Sequence, residues 1–199
     1  MPQVIVVAGP SGSGKSRLCS RLGLPTVNLD DFYKDRSDPT LPRLEMGGID
    51  WDHLASWHRD EAVAAIVELC TTGAADLPVY DMARDVRSGS QRLDLAGSEN
   101  FVAEGLFAPE IVAACRTTGC LADAVCVRNR PVVTFWRRLT RDLRERRKPP
   151  HVAVRLGLML LRAEPAVVAR AVAAGCAPLT GQEAYERLSS RQQEPRSSA

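Results

Sequence analysis

The chain has 199 residues, of which 45% are hydrophobic and 25% are charged, and its formal net charge is +2. This length and composition predict a globular protein with a substantial buried core. The nearly balanced charge argues against a protein held on nucleic acid by overall charge. No run of about 18 uncharged apolar residues occurs, so we expect no membrane span. The N-terminal apolar stretch is too short for a signal peptide, and we therefore expect a cytoplasmic location.

The predicted elements alternate between apolar strands and helices from the start of the chain. A β-branched run over 3–8 predicts a buried strand, and a glycine-rich turn leads from it into a helix over 15–22. A short apolar run over 26–29 follows. Residues 34–50 are rich in Pro, Gly and Asp and predict a loop. Apolar residues at helical spacing then predict a helix over 54–69.

The second half of the chain continues this alternation. A short strand over 74–80 precedes a polar loop or hairpin over 84–99, and the chain from Ser189 onward is predicted to fray. The alternation indicates an α/β fold with a mainly parallel sheet, as a single domain over 1–190 with a polar tail over 191–199. Further strands are predicted over 101–103 and 124–127, and further helices over 109–115, 132–147, 152–161, 165–174 and 181–188.

Six cysteines occur without a CxxC pair and without a histidine cluster near them. A zinc site is therefore not expected, and a disulfide framework would be unusual at this length. Free cysteines behave as small hydrophobic residues, so we predict that all six lie in the core. They are Cys19, Cys70, Cys115, Cys120, Cys126 and Cys176.

Residues 9–16 read GPSGSGKS, a full match to the phosphate-loop pattern G-x-x-x-x-G-K-[ST] between a strand and a helix. The glycines let the backbone approach a phosphate closely, and successive N–H groups then surround its oxygens at the helix N-terminus. Lys15 is predicted to contact the β- and γ-phosphates of ATP, and the Ser16 hydroxyl to ligate Mg²⁺. The predicted ATP-binding residues are Gly9, Ser11, Gly12, Ser13, Gly14, Lys15, Ser16 and Arg17.

Four further segments, in this order, resemble the signatures of the uridine kinase family of P-loop kinases. Glu104, in the sequence VAEG, also resembles the acidic residue that ends a Walker B strand. The resemblance covers roughly the first three quarters of the chain. The four segments read LDDFYKD over 29–35, DWDH over 50–53, PVYDMARDVR over 78–87 and RRLTRDLRERRK over 137–148.

This resemblance implies the three-layer P-loop NTPase fold of nucleoside and nucleotide kinases, with a parallel sheet and an arginine-rich helical lid over about 128–150. It also implies an ATP-dependent kinase that requires Mg²⁺ and phosphorylates a small-molecule hydroxyl. The first expectation for that acceptor is uridine or cytidine, converted to its 5′-monophosphate.

Several carboxylates are candidates for the acceptor site. Asp30 follows an apolar strand, where sheet ligands bind, and a carboxylate there can orient or deprotonate a hydroxyl. The alternative is a turn or N-cap aspartate, and Asp31 could exchange roles with Asp30. Tyr33 is predicted to contact the acceptor, with a core aromatic as the alternative. By resemblance Asp52 would accept hydrogen bonds from ribose hydroxyls, and the alternative is an N-cap of the 54–69 helix.

Charged residues are also predicted around the triphosphate. Glu104 is predicted to hold Mg²⁺, directly or through water. The resemblance assigns Arg138, Arg141 and Arg146 to a lid that closes over the phosphates, and a solvated basic face is the alternative. Nucleic-acid binding is disfavoured because aromatic residues do not alternate with the basic ones. The predicted catalytic residues are Asp30, Lys15, Arg138, Arg141 and Arg146.

The resemblance breaks at Asp85, which stands where the family has a histidine that contacts the pyrimidine base. Tyr80 and Arg87 remain available to line the acceptor pocket. A carboxylate favours other ligand edges, such as an exocyclic amine, and would repel an acidic substrate nearby. Asp85 and the segment from His151 onward, which carries no assigned motif, leave another acceptor as the alternative: pantothenate, another riboside or a sugar acid. The predicted acceptor-binding residues are Asp30, Tyr33, Asp52, Tyr80, Asp85 and Arg87.

Two alternatives lie outside the small-molecule kinases. A nucleotide-binding regulatory protein with little turnover would keep the phosphate loop without the acceptor chemistry. A GTPase is disfavoured because no N-K-x-D motif occurs, since Asn129-Arg130 is followed by Pro131-Val132. The expected partner is a small-molecule substrate, with neither nucleic acid nor membrane, and homo-oligomerisation is left open.

Overall fold

A computed structural model of the chain describes residues 1–45, 47–129, 140, 161 and 164–193. The helices predicted over 132–147 and 152–161 therefore fall almost wholly outside the described residues. The described strands are β1 (Gln3–Ala8), β2 (Thr26–Asn28), β3 (Ala74–Asp81), β4 (Val86–Asp94), β5 (Asn100–Glu104), β6 (Leu121–Val127) and β7 (Ala177–Leu179). The described helices are α1 (Lys15–Leu22), α2 (Arg59–Thr72), α3 (Ala108–Thr117), α4 (164–173) and α5 (Gly181–Gln193), with 3₁₀ turns at Leu29–Phe32 and Leu54–Ser56.

Five strands form one parallel sheet in the order β2-β5-β1-β6-β7. The central strand β1 is buried on both faces, which explains why its apolar run is continuous rather than alternating. Parallel strands bring their carboxyl ends to one edge of the sheet, and that edge is where ligands bind in open α/β folds. The phosphate loop after β1, Asp30 after β2 and Glu104 at the end of β5 therefore meet at the same edge.

Helices cover both faces of this sheet, as the α/β prediction requires. Val4 and Val6 of β1 pack into a core shared with α2, α3 and α4, whereas Ile5 and Val7 pack into a second core shared with α1 and α5. Because successive strand side chains point to opposite faces, one strand contributes to both cores. Burying each Leu, Ile or Phe of these cores contributes roughly 1.5–3 kcal/mol relative to leaving it exposed.

β3 and β4 form a separate antiparallel hairpin, in agreement with the predicted strand followed by a hairpin. The outer strand β4 is largely exposed, whereas Ala75 and Tyr80 of β3 are buried. The turn between them contains Asp85 at φ 55, a left-handed conformation that aspartate tolerates better than most residues. This hairpin carries the predicted Tyr80, Asp85 and Arg87 beside the main sheet.

Two helix boundaries and one capping residue differ from the sequence predictions. The helix predicted over 54–69 begins only at Arg59, after the 3₁₀ turn. The N-cap of that turn is His53, whose Nδ1 accepts from the Ala55 N–H at 3.1 Å, so the N-cap alternative for Asp52 is wrong. Over 189–193 the predicted fraying is wrong, because α5 continues to Gln193 and the Ser189 hydroxyl donates to the Tyr185 carbonyl at 2.6 Å. The rest of the predicted tail lies outside the described residues.

One strand, β7, was not predicted. It has three residues and includes Pro178, which a sheet tolerates only at an edge or a strand end, and β7 lies at the edge of this sheet. The six cysteines are all free and buried, which confirms their prediction as core residues. Among the described helices, none has the length and apolar character needed to cross a membrane.

Candidate phosphate and acceptor site

The phosphate loop has the glycines that its backbone requires. Gly9, Gly12 and Gly14 have φ values of 139°, 85° and 98°, which disfavour any residue with a β-carbon. At Gly9 a β-carbon would lie 2.4 Å from the Val127 carbonyl oxygen. The buried Ser13 hydroxyl has no hydrogen-bond partner within the described part of the chain, which is consistent with a loop built to receive phosphate oxygens. Ser11 is partly exposed in the same loop, and Arg17 is exposed on α1.

Lys15 points back across this loop from the first residue of α1. Its Nζ donates to the carbonyl oxygens of Gly9 at 2.8 Å and Pro10 at 3.3 Å. Burial lowers the pKa of Lys15 below its usual 10.5, and the charges of Glu104 and Asp30 oppose that shift. The ammonium group is thus held by two carbonyl oxygens of the phosphate loop, and the charges of Glu104 and Asp30 lie within electrostatic reach of it.

Ser16 and Glu104 form the predicted metal-binding pair. The Ser16 hydroxyl donates to Oε1 of Glu104 at 2.9 Å, across 88 positions of sequence. Among the described residues there is no cluster of three His, Cys, Asp or Glu side chains that could hold a metal. Mg²⁺ usually takes only one or two protein oxygens and completes its shell with water and phosphate. The pair therefore fits Mg²⁺ bound together with a nucleotide.

Asp30 lies in the 3₁₀ turn that follows β2. The N-cap of this turn is Asn28, whose side chain accepts from the Asp30 N–H at 3.2 Å, so Asp30 is not the capping residue. Oδ1 of Asp30 accepts from the Leu106 N–H at 3.0 Å. Burial raises the pKa of Asp30 above its ordinary 3.8, and the Leu106 N–H and the charge of Lys15 oppose that rise. A raised pKa suits a carboxylate that takes a proton.

The carboxylates next along the chain hold the β3–β4 hairpin instead. Oδ1 of Asp31 accepts from the Tyr80 N–H at 3.2 Å, and Oδ1 of Asp35 accepts from the Arg87 N–H at 2.6 Å. The Tyr80 hydroxyl donates to the Lys34 carbonyl at 3.0 Å. These contacts separate the roles of two adjacent aspartates, because Asp31 is engaged with β3 while Asp30 faces Lys15.

Tyr33 lies at the centre of an aromatic cluster. Its ring centroid is 5.6 Å from that of Trp51, 5.8 Å from Tyr80 and 5.8 Å from Phe107, and Trp57 stacks on Phe107 at 5.2 Å. Only 7% of Tyr33 is exposed. Burial raises the pKa of its hydroxyl, with smaller contributions from the nearby charges of Asp30 and Asp52. Tyr33 is therefore a core aromatic that also lies beside Asp30.

Asp52 and Asp85 are more accessible. Asp52 is exposed and follows Trp51, whose ring contacts Tyr33 edge-on. Asp85 lies in the hairpin turn, where Oδ2 is 3.5 Å from Nη1 of Arg36 and the Asp85 carbonyl accepts from the Arg36 N–H at 2.8 Å. Both carboxylates thus lie on segments that border the aromatic cluster.

Arg87 is already paired with α2. Its guanidinium donates to both carboxylate oxygens of Glu61, at 2.9 and 2.7 Å. A fork-to-fork pair of this kind fixes the direction of the side chain. The predicted lid residues Arg138, Arg141 and Arg146 lie outside the described residues.

Two contributors to this edge were missed in the sequence. The Asn129 side chain donates to the Ser13 carbonyl, and its place directly after β6, at the carboxyl edge, was an available signal. Arg170 of α4 donates from Nη2 to the Leu106 carbonyl at 3.3 Å. No sequence pattern indicated Arg170, because a lone arginine in an apolar helix matches no motif.

The fold and the site together define a class of protein. A parallel sheet with a phosphate loop after the central strand, carboxylates on neighbouring strand ends and helices on both faces is the P-loop kinase fold. The chain has that fold. Within it, the predicted Lys15, Ser16, Glu104 and Asp30 come together at one edge.

Comparison with known proteins adds a sequence relationship. The uridine kinase of Limosilactobacillus reuteri (strain DSM 20016) is 27% identical over 152 residues, covering 73% of this chain and 67% of the relative. The uridine kinase of Chloroflexus aggregans is 38% identical over 93 residues, covering 43% of this chain and 44% of the relative. No family model matches the chain. In sequence the chain is thus similar to uridine kinases.

A solved structure supports the fold. The crystal structure of a protein named as a candidate fructose transport system kinase from Silicibacter sp. TM1040 superposes with a TM-score of 0.62. The superposition covers 84% of this chain and 85% of that chain at 20% sequence identity. At that identity the likeness concerns the fold alone.

Proposed function

We propose that the chain is an ATP-dependent kinase that phosphorylates a hydroxyl group of a small molecule, with a nucleoside as the favoured acceptor. The observation that carries this proposal is the hydrogen bond from Ser16, which follows Lys15 in the phosphate loop, to Glu104 at the end of β5. Two residues beyond Glu104, the Leu106 N–H donates to Asp30, so the phosphate loop and the Asp30 carboxylate meet at this strand end. Phosphoryl transfer to a hydroxyl requires a cation that binds phosphate, residues that hold Mg²⁺ and a carboxylate beside the acceptor. Lys15, the Ser16–Glu104 pair and Asp30 are the candidates for these three roles.

The donor side of the site is formed by the phosphate loop and α1. The loop N–H groups and Lys15 hold the β- and γ-phosphates of ATP, while Ser16 and Glu104 hold Mg²⁺. Mg²⁺ bound there neutralises phosphate charge during transfer. Arg138, Arg141 and Arg146 are proposed to close over the same phosphates.

The acceptor side is formed by Asp30 and the hairpin. As the acceptor oxygen bonds to the γ-phosphorus and the bond to ADP breaks, the hydroxyl proton passes to the Asp30 carboxylate. The Leu106 N–H and the charge of Lys15 favour the ionised form of Asp30 and so oppose the effect of burial. Tyr33 and Tyr80 provide an apolar wall that limits water around the acceptor.

A nucleoside acceptor is supported by the similarity to relatives named uridine kinase and by the exposed Asp52 beside Trp51 and Tyr33, which suits vicinal ribose hydroxyls. A second acceptor class is an acidic small molecule, such as a sugar acid or pantothenate. It is favoured by Arg36 of the 34–50 loop, whose guanidinium is 71% exposed beside the hairpin turn and can bind a further carboxylate.

The test is ADP release from Mg-ATP with a panel of nucleosides, sugars, sugar acids and pantothenate, using the wild-type protein, Asp30→Asn and the matched control Asp31→Asn. We expect turnover with a nucleoside that falls by about 10²–10⁴-fold in Asp30→Asn and only a few-fold in Asp31→Asn. Turnover with an acidic acceptor alone would keep the kinase and replace the nucleoside. ATP binding without product from any acceptor would contradict the kinase proposal.

A further inference from the structure

The turn between β5 and α3, residues 105–107, is fixed against Asp30. Its Leu106 N–H donates to Oδ1 of Asp30, and at Gly105 a β-carbon would lie 2.8 Å from that same oxygen and 2.9 Å from Cβ of Leu29. Phe107 is fully buried. A displacement of this turn therefore moves the only backbone donor recorded for the Asp30 carboxylate among the described residues.

The carbonyl of Leu106 is held by α4. Nη2 of Arg170 donates to the Leu106 carbonyl at 3.3 Å, and the guanidinium carbon lies 5.9 Å from the centre of the Phe107 ring. Leu106 thus accepts from Arg170 through its carbonyl and donates to Asp30 through its N–H. One residue connects α4 to the carboxylate.

A salt bridge does not explain the position of the Arg170 side chain. Nε of Arg170 is 3.6 Å from Oε1 of Glu110, and this nitrogen is buried without a hydrogen-bond partner within the described part of the chain. The two side chains are 40% and 25% exposed. Partly exposed pairs with loose geometry contribute little, typically below about 1 kcal/mol. The hydrogen bond to the 105–107 turn is the better-formed contact.

We propose that Arg170 is a positioning residue that acts on Asp30 through the 105–107 turn. This inference rests on the proposed kinase function for its kinetic consequences, but not for its geometry. It also gives a role to α4, in a segment where the sequence carries no motif.

The charged groups that face Asp30 set the expected pH effect. Lys15 of α1 lowers the pKa of Asp30, and the Leu106 N–H lowers it as well, while burial raises it. Asp31 and Tyr33 on its own segment lie within electrostatic reach, and Glu104 faces Lys15 from β5. If the turn relaxes, Asp30 loses one of its two stabilising contacts. Its pKa then rises further, and the acidic limb of kcat/KM moves to higher pH.

The kinetic test compares Arg170→Ala, Arg170→Lys and the matched control Arg187→Ala, which removes an arginine salt bridge on α5. For Arg170→Ala we expect kcat to fall by about 10–100-fold with little change in the KM for ATP, because the carboxylate and not the donor site is displaced. Arg170→Lys restores most of the rate, since an ammonium group can also donate to the Leu106 carbonyl. Arg187→Ala should leave kcat within a few-fold.

A double-mutant cycle with Asp30→Asn then isolates the route. If Arg170 acts through Asp30, Arg170→Ala lowers kcat by a much smaller factor in the Asp30→Asn background than in the wild type. Equal losses in both backgrounds, or wild-type turnover of Arg170→Ala, would overturn the proposal.

A direct titration separates this inference from the proposed function. Carboxyl ¹³C shifts of Asp30 are followed against pH by NMR in the wild type, Arg170→Ala and Arg187→Ala, without nucleotide. A higher Asp30 pKa in Arg170→Ala alone supports the positioning role even if no acceptor is found. An unchanged Asp30 pKa contradicts it even if the kinase is active.

Discussion

At the scale of single residues, the site places ionisable groups where burial disfavours their charged forms. The pKa of Asp30 is raised and that of Lys15 is lowered, both chiefly by desolvation. A carboxyl whose pKa is raised by folding contributes stability that is fully present below its ordinary pKa of 3.8. That contribution is lost as the pH rises through the folded-state pKa. The free energy of unfolding therefore contains less from Asp30 near neutral pH than near pH 3.

Asp30→Asn should consequently be more heat-stable than the wild type, even though we expect its turnover to be much lower. Near pH 7 we expect its Tm to rise, by about 2–4 °C for each kcal/mol that the ionised carboxylate costs. Near pH 3 the gain should disappear, because the carboxyl is then protonated in both folded and unfolded chains. Calorimetry at both pH values measures this, and a lower Tm at neutral pH would contradict the assigned burial cost.

Gly105 gives a second prediction at this scale. In Gly105→Ala the new methyl group lies against Asp30 and Leu29, so we expect a loss of about 1–3 kcal/mol in stability together with reduced turnover. Gly181→Ala is the matched control, because among the described residues its β-carbon would meet only Val127 Cγ1, at 4.0 Å. Urea unfolding should place the control within about 0.5 kcal/mol of the wild type. Equal stability of both variants would show that the turn has room.

At the scale of elements, the β3–β4 hairpin is attached to residues 31–35 and to α2. The Arg87–Glu61 pair joins β4 to α2, so we expect Arg87 to act on the acceptor by positioning the hairpin. The ion pair should therefore also form if the two charges are exchanged between Glu61 and Arg87.

Reversing the charges tests that role. Arg87→Glu alone places two carboxylates together, and we expect the KM for the acceptor to rise by roughly tenfold as the hairpin shifts. The double variant Glu61→Arg/Arg87→Glu should restore the KM to within a few-fold. If the double variant remains as poor as the single one in steady-state kinetics, Arg87 contacts the acceptor directly.

At the scale of the whole molecule, α5 closes the second core beneath the phosphate-loop helix. Leu188 and Ala184 of α5 pack with Leu18 and Leu22 of α1. Arg187 anchors the same helix by donating to both carboxylate oxygens of Asp123 at 2.8 Å. The carboxylate is 7% exposed, whereas the arginine is 48% exposed.

Arg187→Ala should therefore destabilise the protein by leaving a buried charge without its main partner. We expect a loss of about 3 kcal/mol, which corresponds to about 6–12 °C in Tm. Arg92→Ala is the control, because its pair with Asp76 is 3.7 Å long and about two-thirds exposed; it should change stability by less than about 0.5 kcal/mol. Similar losses in both variants, measured by thermal unfolding, would contradict the role of burial.

Those features that depend on local chemistry could be predicted from the sequence. The phosphate loop, the buried strand before it and Asp30 after β2 follow from residue types at fixed short spacing. The attachment of the hairpin could not be predicted, because Asp31 and Asp35 meet partners 49 and 52 positions away. Arg170 meets Leu106 across 64 positions, and β7 is too short for its pattern to emerge. Long-range pairing and edge strands depend on packing that no local window contains.

The attachment of the β3–β4 hairpin also bears on how this protein can diverge. Asp31 and Asp35 accept hydrogen bonds from backbone N–H groups of the hairpin. Such contacts do not depend on the identity of the hairpin side chains. Residues 82–84 of the turn can therefore change by mutation while the hairpin stays attached in the same position. Under the proposed function, selection can exchange one acceptor for another at the turn and leave the inherited phosphate chemistry intact.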